Sequence, residues 1–229
     1  MKAAFYDGNN NMEIKEHPDP IPKAGEVLVN IKSTGICGSD LNMNKAKNSA
    51  DQDPAGHEVA GEIIDIGEGV DKQFIGKRIA LEVLGSGKSC NLCWFCRHGQ
   101  YTHCSDKKGS SSGGFAEYIT RKVGGCYELG DQMTWDEGAL VEPLAVSIHG
   151  VRIGGLKGGE SVAILGSGNI GLTAVAAARA LGAGKIFVTS RHKQQSDMAK
   201  KLGADYTATS EGDEFEQLIL DKTDGRGVD

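Results

Sequence analysis

Three groups of residues in this chain have the types and the spacing to do chemistry. Cys37 stands in GICGSD, and His57 and Glu58 stand in GHEVAG. Thiolate, imidazole and carboxylate are the donors of catalytic zinc sites, which keep a further position open. That open position lets the ion act on a substrate oxygen as a Lewis acid. Any one of these residues alone carries little, since a lone cysteine in a strand-rich region is usually a small core residue. The second group is Cys90, Cys93, Cys96 and Cys104, spaced C-x2-C-x2-C-x7-C. Four thiolates so spaced close a small lobe around one tetrahedral ion, and an iron–sulfur cluster is the rival occupant. The third is Gly166-Ser-Gly168-Asn169-Ile170-Gly171, a G-x-G-x-x-G run. Its first glycine suits a tight turn, its second admits a pyrophosphate, and its third lets helix pack on strand.

The elements that must position these groups change character near residue 150. Before it come short β-like segments punctuated by glycine. EVLVNIK alternates as a half-buried strand, and GEIIDIG and GKRIALEVLG read the same way. Pro18, Pro20 and Pro22 mark an extended loop. Thr134 and Glu137 form a capping box that predicts a helix from about residue 134. Pro143 suits the first turn of a following helix, with Glu142 at its mouth, where the macrodipole favours a carboxylate.

From residue 161 strand and helix alternate. SVAILG is a strand, NIGLTAVAAARALG a helix ending at Gly182, and KIFVTS a second strand. A helix from Lys193 to Leu202, a short strand in ADYTAT and a helix from Asp213 to Asp221 complete the series. This alternation predicts a parallel, doubly wound sheet, an α/β fold. The chain stops at GRGVD, where a fourth strand is expected to begin, so half of a dinucleotide-binding sheet is in hand. The glycine run therefore follows a strand and opens a helix, the context that gives it meaning. At the end of the second strand, about 20 residues on, an acidic residue would bind both ribose hydroxyls of NAD. Ser190 and Arg191 stand there instead. A small neutral residue followed by arginine can hold a 2′-phosphate by charge-assisted hydrogen bonds, so the expected cofactor is NADP rather than NAD.

Composition excludes several classes. The chain has 229 residues, a net charge of −6 and no block of five basic residues, which argues against nucleic acid and anionic membranes as partners. No run approaches the ~18 apolar residues of a membrane span, and MKAAFYDGNN lacks the apolar core of a signal peptide. A soluble cytoplasmic protein is expected, in which clustered cysteines mean metal rather than disulfides. Cys126 reads as a buried free thiol, and His98 and His103 as exposed loop residues.

From Gly56 to Val70 the chain reads G-H-E-x-x-G, five residues, Gly67, two residues, Val70. With this run it resembles the zinc-containing medium-chain alcohol dehydrogenases, and the resemblance extends from KAAFYD to the truncated Rossmann unit. It implies a GroES-like, β-rich catalytic domain over 1–150, with a structural zinc lobe at 88–106, and an incomplete Rossmann domain over 151–229. It implies two zinc ions: a catalytic one on Cys37 and His57, and a structural one on Cys90, Cys93, Cys96 and Cys104, which disfavours the iron–sulfur reading. Ser39, two residues after Cys37, would relay the alcohol proton. VEPLAVSIHG looks like the polyol, sorbitol and threonine dehydrogenase branch, where Glu58 and Glu142 are alternative or water-mediated neighbours of the metal. Asn42 departs from that branch, which commonly has histidine there, so Ser39 would pass its proton to cofactor ribose or water.

The resemblance implies hydride transfer between NADP and a secondary alcohol or polyol, in relatives that form homo-oligomers. The rival reading is a catalytically inactive chain that keeps a zinc lobe and weak nucleotide affinity. Zinc-free quinone reductases are disfavoured by the intact ligands, and a zinc-ribbon nucleic-acid binder by the charge.

Overall fold

A computed structural model describes residues 1–43, 54–82, 89–107, 113–209 and 212–229. Its contacts divide the chain into two compact units, Met1–Glu142 and Pro143–Asp229. In the first unit, β1 (Lys2–Tyr6) and β2 (Met12–Glu16) form an antiparallel hairpin. β3 (Glu26–Gly35) leads into the short helix α1 (Gly38–Met43), and β4 (Glu58–Ile66) runs back along β3. β5 is Arg78–Leu81; the rest of GKRIALEVLG beyond residue 82, like residue 88 of the lobe, lies outside the described residues. α2 (Trp94–Arg97) lies among the cysteines, followed by β6 (Tyr118–Lys122) and β7 (Cys126–Glu128). The five-stranded sheet has the order β6-β3-β4-β5-β7.

The alternation read in EVLVNIK is the alternation of burial. Val27 and Val29 are fully buried and pack with Val59, Ile63, Ile79, Leu81 and Ile119. α3 (Trp135–Ala139) starts on the expected capping box, with Thr134 Oγ1 accepting from Glu137 N and the Glu137 carboxylate accepting from Thr134 N. It is tied to the sheet by Ser33 Oγ, which donates to Asp136 Oδ1 at 2.7 Å, and by the Arg78 guanidinium over the Trp135 ring. α4 (Val141–Ile153) follows, with Pro143 in its first turn, where its missing N–H is no loss.

In the second unit β8 (Val162–Ile164), α5 (Asn169–Ala180), β9 (Ile186–Thr189), α6 (Lys193–Lys201), β10 (Tyr206–Ala208) and α7 (Asp213–Lys222) alternate as expected. The three strands are parallel in the order β10-β9-β8. Every residue of β9 is buried, as a central strand covered on both faces must be. Ile186 and Val188 pack with Val175 and Ala178 of α5 and Ala199 of α6. Among the described residues no helix is long and apolar enough to cross a membrane.

Candidate metal centres and nucleotide cleft

Pairing of β3 with β4 brings the first group of donors together. Gly35 lies opposite Glu58 in the register, so the end of one strand delivers Cys37 beside the start of the next, where His57 and Glu58 stand. A Cβ at Gly35 would lie 2.0 Å from Glu58 Oε2, so the glycine supplies the space the carboxylate occupies. Gly56 has φ +84, and a Cβ there would also strike the Phe115 ring at 2.3 Å. The donor atoms of Cys37, His57 and Glu58 all fall within 4.8 Å of one another. Donors on one tetrahedral zinc lie about 3.3–3.8 Å apart, so modest closure fits an ion.

A fourth residue organises this cluster, and the sequence reading missed it. Asp40, on α1, is 3% exposed. Its Oδ2 accepts from the Cys37 backbone N–H at 2.8 Å, and its Oδ1 lies 3.3 Å from His57 Nδ1. That contact places the imidazole proton on Nδ1 and leaves the Nε2 lone pair for a metal. The only signal in the sequence was an acid three residues after Cys37, meaningful once Gly38–Met43 is known to be helical.

Burial works against the ionised carboxylates of the cluster, and a bound cation would favour them. Burial raises the Glu58 carboxyl above its usual range, Asp40 adds to the rise, and His57 opposes it. Glu142, in the first turn of α4, is raised by burial as well; His57 opposes this, and Glu58 and Asp40 reinforce it. Glu142 stands outside the donor cluster yet close enough to feel it. Ser39 and Asn42 are exposed on α1.

The four cysteines meet in a compact lobe. Cys90 Sγ lies 3.9 Å from Cys96 Sγ and 3.6 Å from Cys104 Sγ, and Cys93 Sγ lies 3.5 Å from Cys96 Sγ. Four sulfurs on zinc at ~2.3 Å stand about 3.8 Å apart, whereas a disulfide needs ~2.05 Å. The described sulfurs therefore match a metal and no disulfide. Asn91 takes the left-handed conformation (φ 57), which lets Cys90 Sγ accept from the N–H groups of Leu92 and Cys93. Backbone N–H groups of Cys96 and Ser105 draw the Cys93 thiol down to about 6, while burial pushes Cys96 up to about 11. His98 and His103 are exposed, with His98 stacked on Trp94 at 4.0 Å. Cys126 is half-buried rather than fully buried; its thiol packs beside the sheet core, and burial raises it to about 12.

In the second unit the glycine run joins β8 to α5. Gly166 has φ +95 and its N–H donates to Thr189 Oγ1 at 2.7 Å; Gly168 is the N-cap of α5. A Cβ at Gly171 would lie 1.9 Å from Gly166 O, so only glycine lets α5 close on the turn. Asn169 and Ile170 are exposed in the first turn of α5. A cleft of about 650 Å³ opens at the C-terminal ends of the strands, lined by Ser167, Gly168, Ser190, Arg191, Gln195 and Thr209 among others. The hydroxyls of Ser167 and Ser190 are buried and have no hydrogen-bond partner among the described residues. An unmet buried polar group costs about 1–3 kcal/mol, which a polar ligand in the cleft would offset. Arg191 is exposed beside it.

Residues 23–131 match the alcohol dehydrogenase GroES-like domain, and residues 169–229 match the zinc-binding dehydrogenase domain. The chain is 36% identical to sorbitol dehydrogenase of Bacillus subtilis (strain 168), an alignment covering 100% of this chain and 67% of that one. It is 40% identical to L-idonate 5-dehydrogenase of Vitis vinifera, over 89% of this chain and 57% of the relative. A zinc-binding dehydrogenase from Sinorhizobium meliloti 1021, solved with NADP, superposes with a TM-score of 0.78 at 32% identity, covering 90% of this chain and 61% of that one. Acetophenone reductase from Geotrichum candidum NBRC 4597, solved with NAD, gives a TM-score of 0.81 at 25% identity, covering 92% and 64%. The chain belongs to the zinc-containing medium-chain alcohol dehydrogenase family. It spans 57–69% of the length of the curated relatives it matches.

Proposed function

We propose that this chain carries the zinc-holding and nucleotide-binding parts of an oxidoreductase that moves a hydride between NADP and the carbinol carbon of a secondary alcohol or polyol. Residues 1–150 form the catalytic domain in this reading, and 151–229 the dinucleotide-binding domain. The observation that carries it is the meeting of Cys37, His57 and Glu58 within 4.8 Å, with Asp40 behind the imidazole. The names of the relatives, sorbitol and idonate dehydrogenases, support a polyol as substrate class.

Cys37 and His57 hold the catalytic zinc, joined by Glu58 or Glu142, and that ion when bound supplies a Lewis acid for the substrate oxygen. Asp40 fixes the tautomer of His57 and orients the backbone at Cys37. Ser39 handles the alcohol proton at its Oγ and passes it to cofactor ribose or water, since Asn42 cannot titrate near neutrality. Cys90, Cys93, Cys96 and Cys104 hold a second, structural zinc. Gly166 to Gly171 and the N-terminus of α5 hold the pyrophosphate. Ser190 Oγ and the Arg191 guanidinium hold the 2′-phosphate.

Elemental analysis is expected to give two zinc ions per chain; folded protein free of zinc would remove the basis of this reading. Binding is expected to favour NADP over NAD, and Ser190→Asp to reverse the order. A carboxylate at that strand end repels a 2′-phosphate and accepts from ribose hydroxyls. If both proteins rank the two cofactors alike, the assignment of Ser190 and Arg191 is wrong.

A further inference from the structure

Among the described residues three donors surround the two oxygens of Asp40, and the third comes from the far N-terminal hairpin. Tyr6, the last residue of β1, is 6% exposed, and its hydroxyl donates to Asp40 Oδ1 at 2.8 Å across 34 residues of chain. We propose that Tyr6 is a positioning residue for the metal cluster: its hydroxyl holds the Asp40 carboxylate in the orientation that serves Cys37 and His57 together. The proposal rests on reading Cys37, His57 and Glu58 as metal ligands.

The geometry gives the tyrosine the stronger grip on the shared oxygen. Oδ1 lies 2.8 Å from the phenol oxygen and 3.3 Å from His57 Nδ1, while Oδ2 is engaged by the Cys37 N–H. A hydrogen bond to a carboxylate is short and strong, so the 2.8 Å contact fixes the plane of the group better than the 3.3 Å one. Without the hydroxyl, Oδ1 keeps, among the described residues, its long contact to the imidazole. At 3% exposure little water reaches Asp40 to take the vacated place. The carboxylate then turns to meet its remaining donors, and either turn shifts a ligand: the backbone at Cys37, or the ring of His57. Burial, and after it the bond to Asp40, raise the phenol above its ordinary value, so it stays a donor at neutral pH. A ring alone would fill the same space; the hydroxyl is the part with a partner.

The test uses the chain with one equivalent of zinc in its four-cysteine lobe, titrated with Co2+. Chelator competition reads affinity at the second cluster, and the d–d absorption bands read its geometry. Loss of an outer hydrogen-bond partner of a metal ligand typically weakens binding 10–100-fold. Tyr6→Phe is expected to bind Co2+ about tenfold more weakly, with altered bands, while the lobe keeps its zinc. In an Asp40→Asn background the same substitution is expected to change nothing further, because the two act in series. Wild-type affinity and spectrum in Tyr6→Phe would overturn the proposal. An equal loss in both backgrounds would overturn it too, since the tyrosine would then act by packing. A wild-type chain that takes up no Co2+ at the second cluster overturns the ligand reading along with it. Should Tyr6→Phe fail to fold, ultraviolet Raman bands of tyrosine give a second readout. Wild type is expected to show a strongly donating phenol that Asp40→Asn removes, and identical bands in the two would reject the contact.

Discussion

Cys90, Cys93, Cys96 and Cys104 come from one stretch of fifteen residues, whereas Cys37, His57 and Glu58 meet only because β3 pairs with β4. The sulfurs of the lobe bond to the N–H groups of their own turn. The mixed cluster is steadied from elsewhere: a glycine across the register, a carboxylate from α1, and a phenol from β1. One set of donors is uniform, as closed structural sites are; the other mixes thiol, imidazole and carboxylate, as open catalytic sites do. In the proposed reading the contrast separates a brace built from local chain from a reactive centre whose groups are aimed by several elements.

The sharpest way to break this contrast is Cys93→Ser. Zinc contributes about 10–16 kcal/mol to the folding of small zinc domains, so the lobe is expected to open. Elemental analysis should show one zinc lost and one kept, with new protease cleavage between residues 90 and 104. Loss of both ions together would mean that the clusters are not independent. Next in size is Cys37→Ser, which should also cost one zinc yet leave the lobe protease-resistant and the melting temperature within a few degrees (~1 kcal/mol or less). A lobe that opens in this variant would erase the distinction.

Gly35→Ala tests whether the mixed cluster depends on the sheet. Its new methyl would meet Glu58 Oε2 at 2.0 Å, an overpacking that costs about 1–3 kcal/mol. Metal uptake at Cys37 and His57 should weaken about tenfold while the lobe stays full. Unchanged uptake would show that Glu58 is free to move and holds nothing.

The smallest effect belongs to Thr134→Ala, which removes the cap of α3 and should cost about 1 kcal/mol with both ions kept. Hydrogen bonds from Thr134 hold the Glu137 carboxyl below its usual range. The stability this bond contributes is therefore present above the ordinary glutamate range and is lost as pH falls through the lowered value. The difference between wild type and Thr134→Ala in thermal melts should shrink on acidification. A constant difference would reject the bond from the Thr134 hydroxyl to the carboxylate as part of the cap.

What could be read from the sequence follows the same division. The cysteine lobe, the glycine turn and the Thr134–Glu137 cap were legible because each is complete within about fifteen residues. The parallel strands were legible because β9 is apolar up to its last residue, Thr189, and its helices are amphipathic. β1, β2, β6 and β7 were not anticipated. They run three to five residues, and CYE in β7 is a strand only because β5 pairs with it. Asp40 and Tyr6 were missed for a related reason, since the partner that gives each its meaning sits in a separate element. The part of Gly35 emerges only from the register that sets Glu58 against it. The hydroxyl of Thr34 is buried with no partner among the described residues, and nothing in the structure accounts for it.

The left-handed turn at Asn91 also bears on time. Because it points two N–H groups at Cys90 without help from distant chain, the lobe has what it needs to capture an ion once Cys104 has been synthesised. The sheet that frames the mixed cluster is completed later, when Phe115 seats against Gly56 and β6 docks on β3. At ~5–20 residues per second, translation separates those events by about 1–4 s. If both clusters take zinc as proposed, the lobe of a nascent chain can close on its ion before the sheet around the mixed cluster is complete.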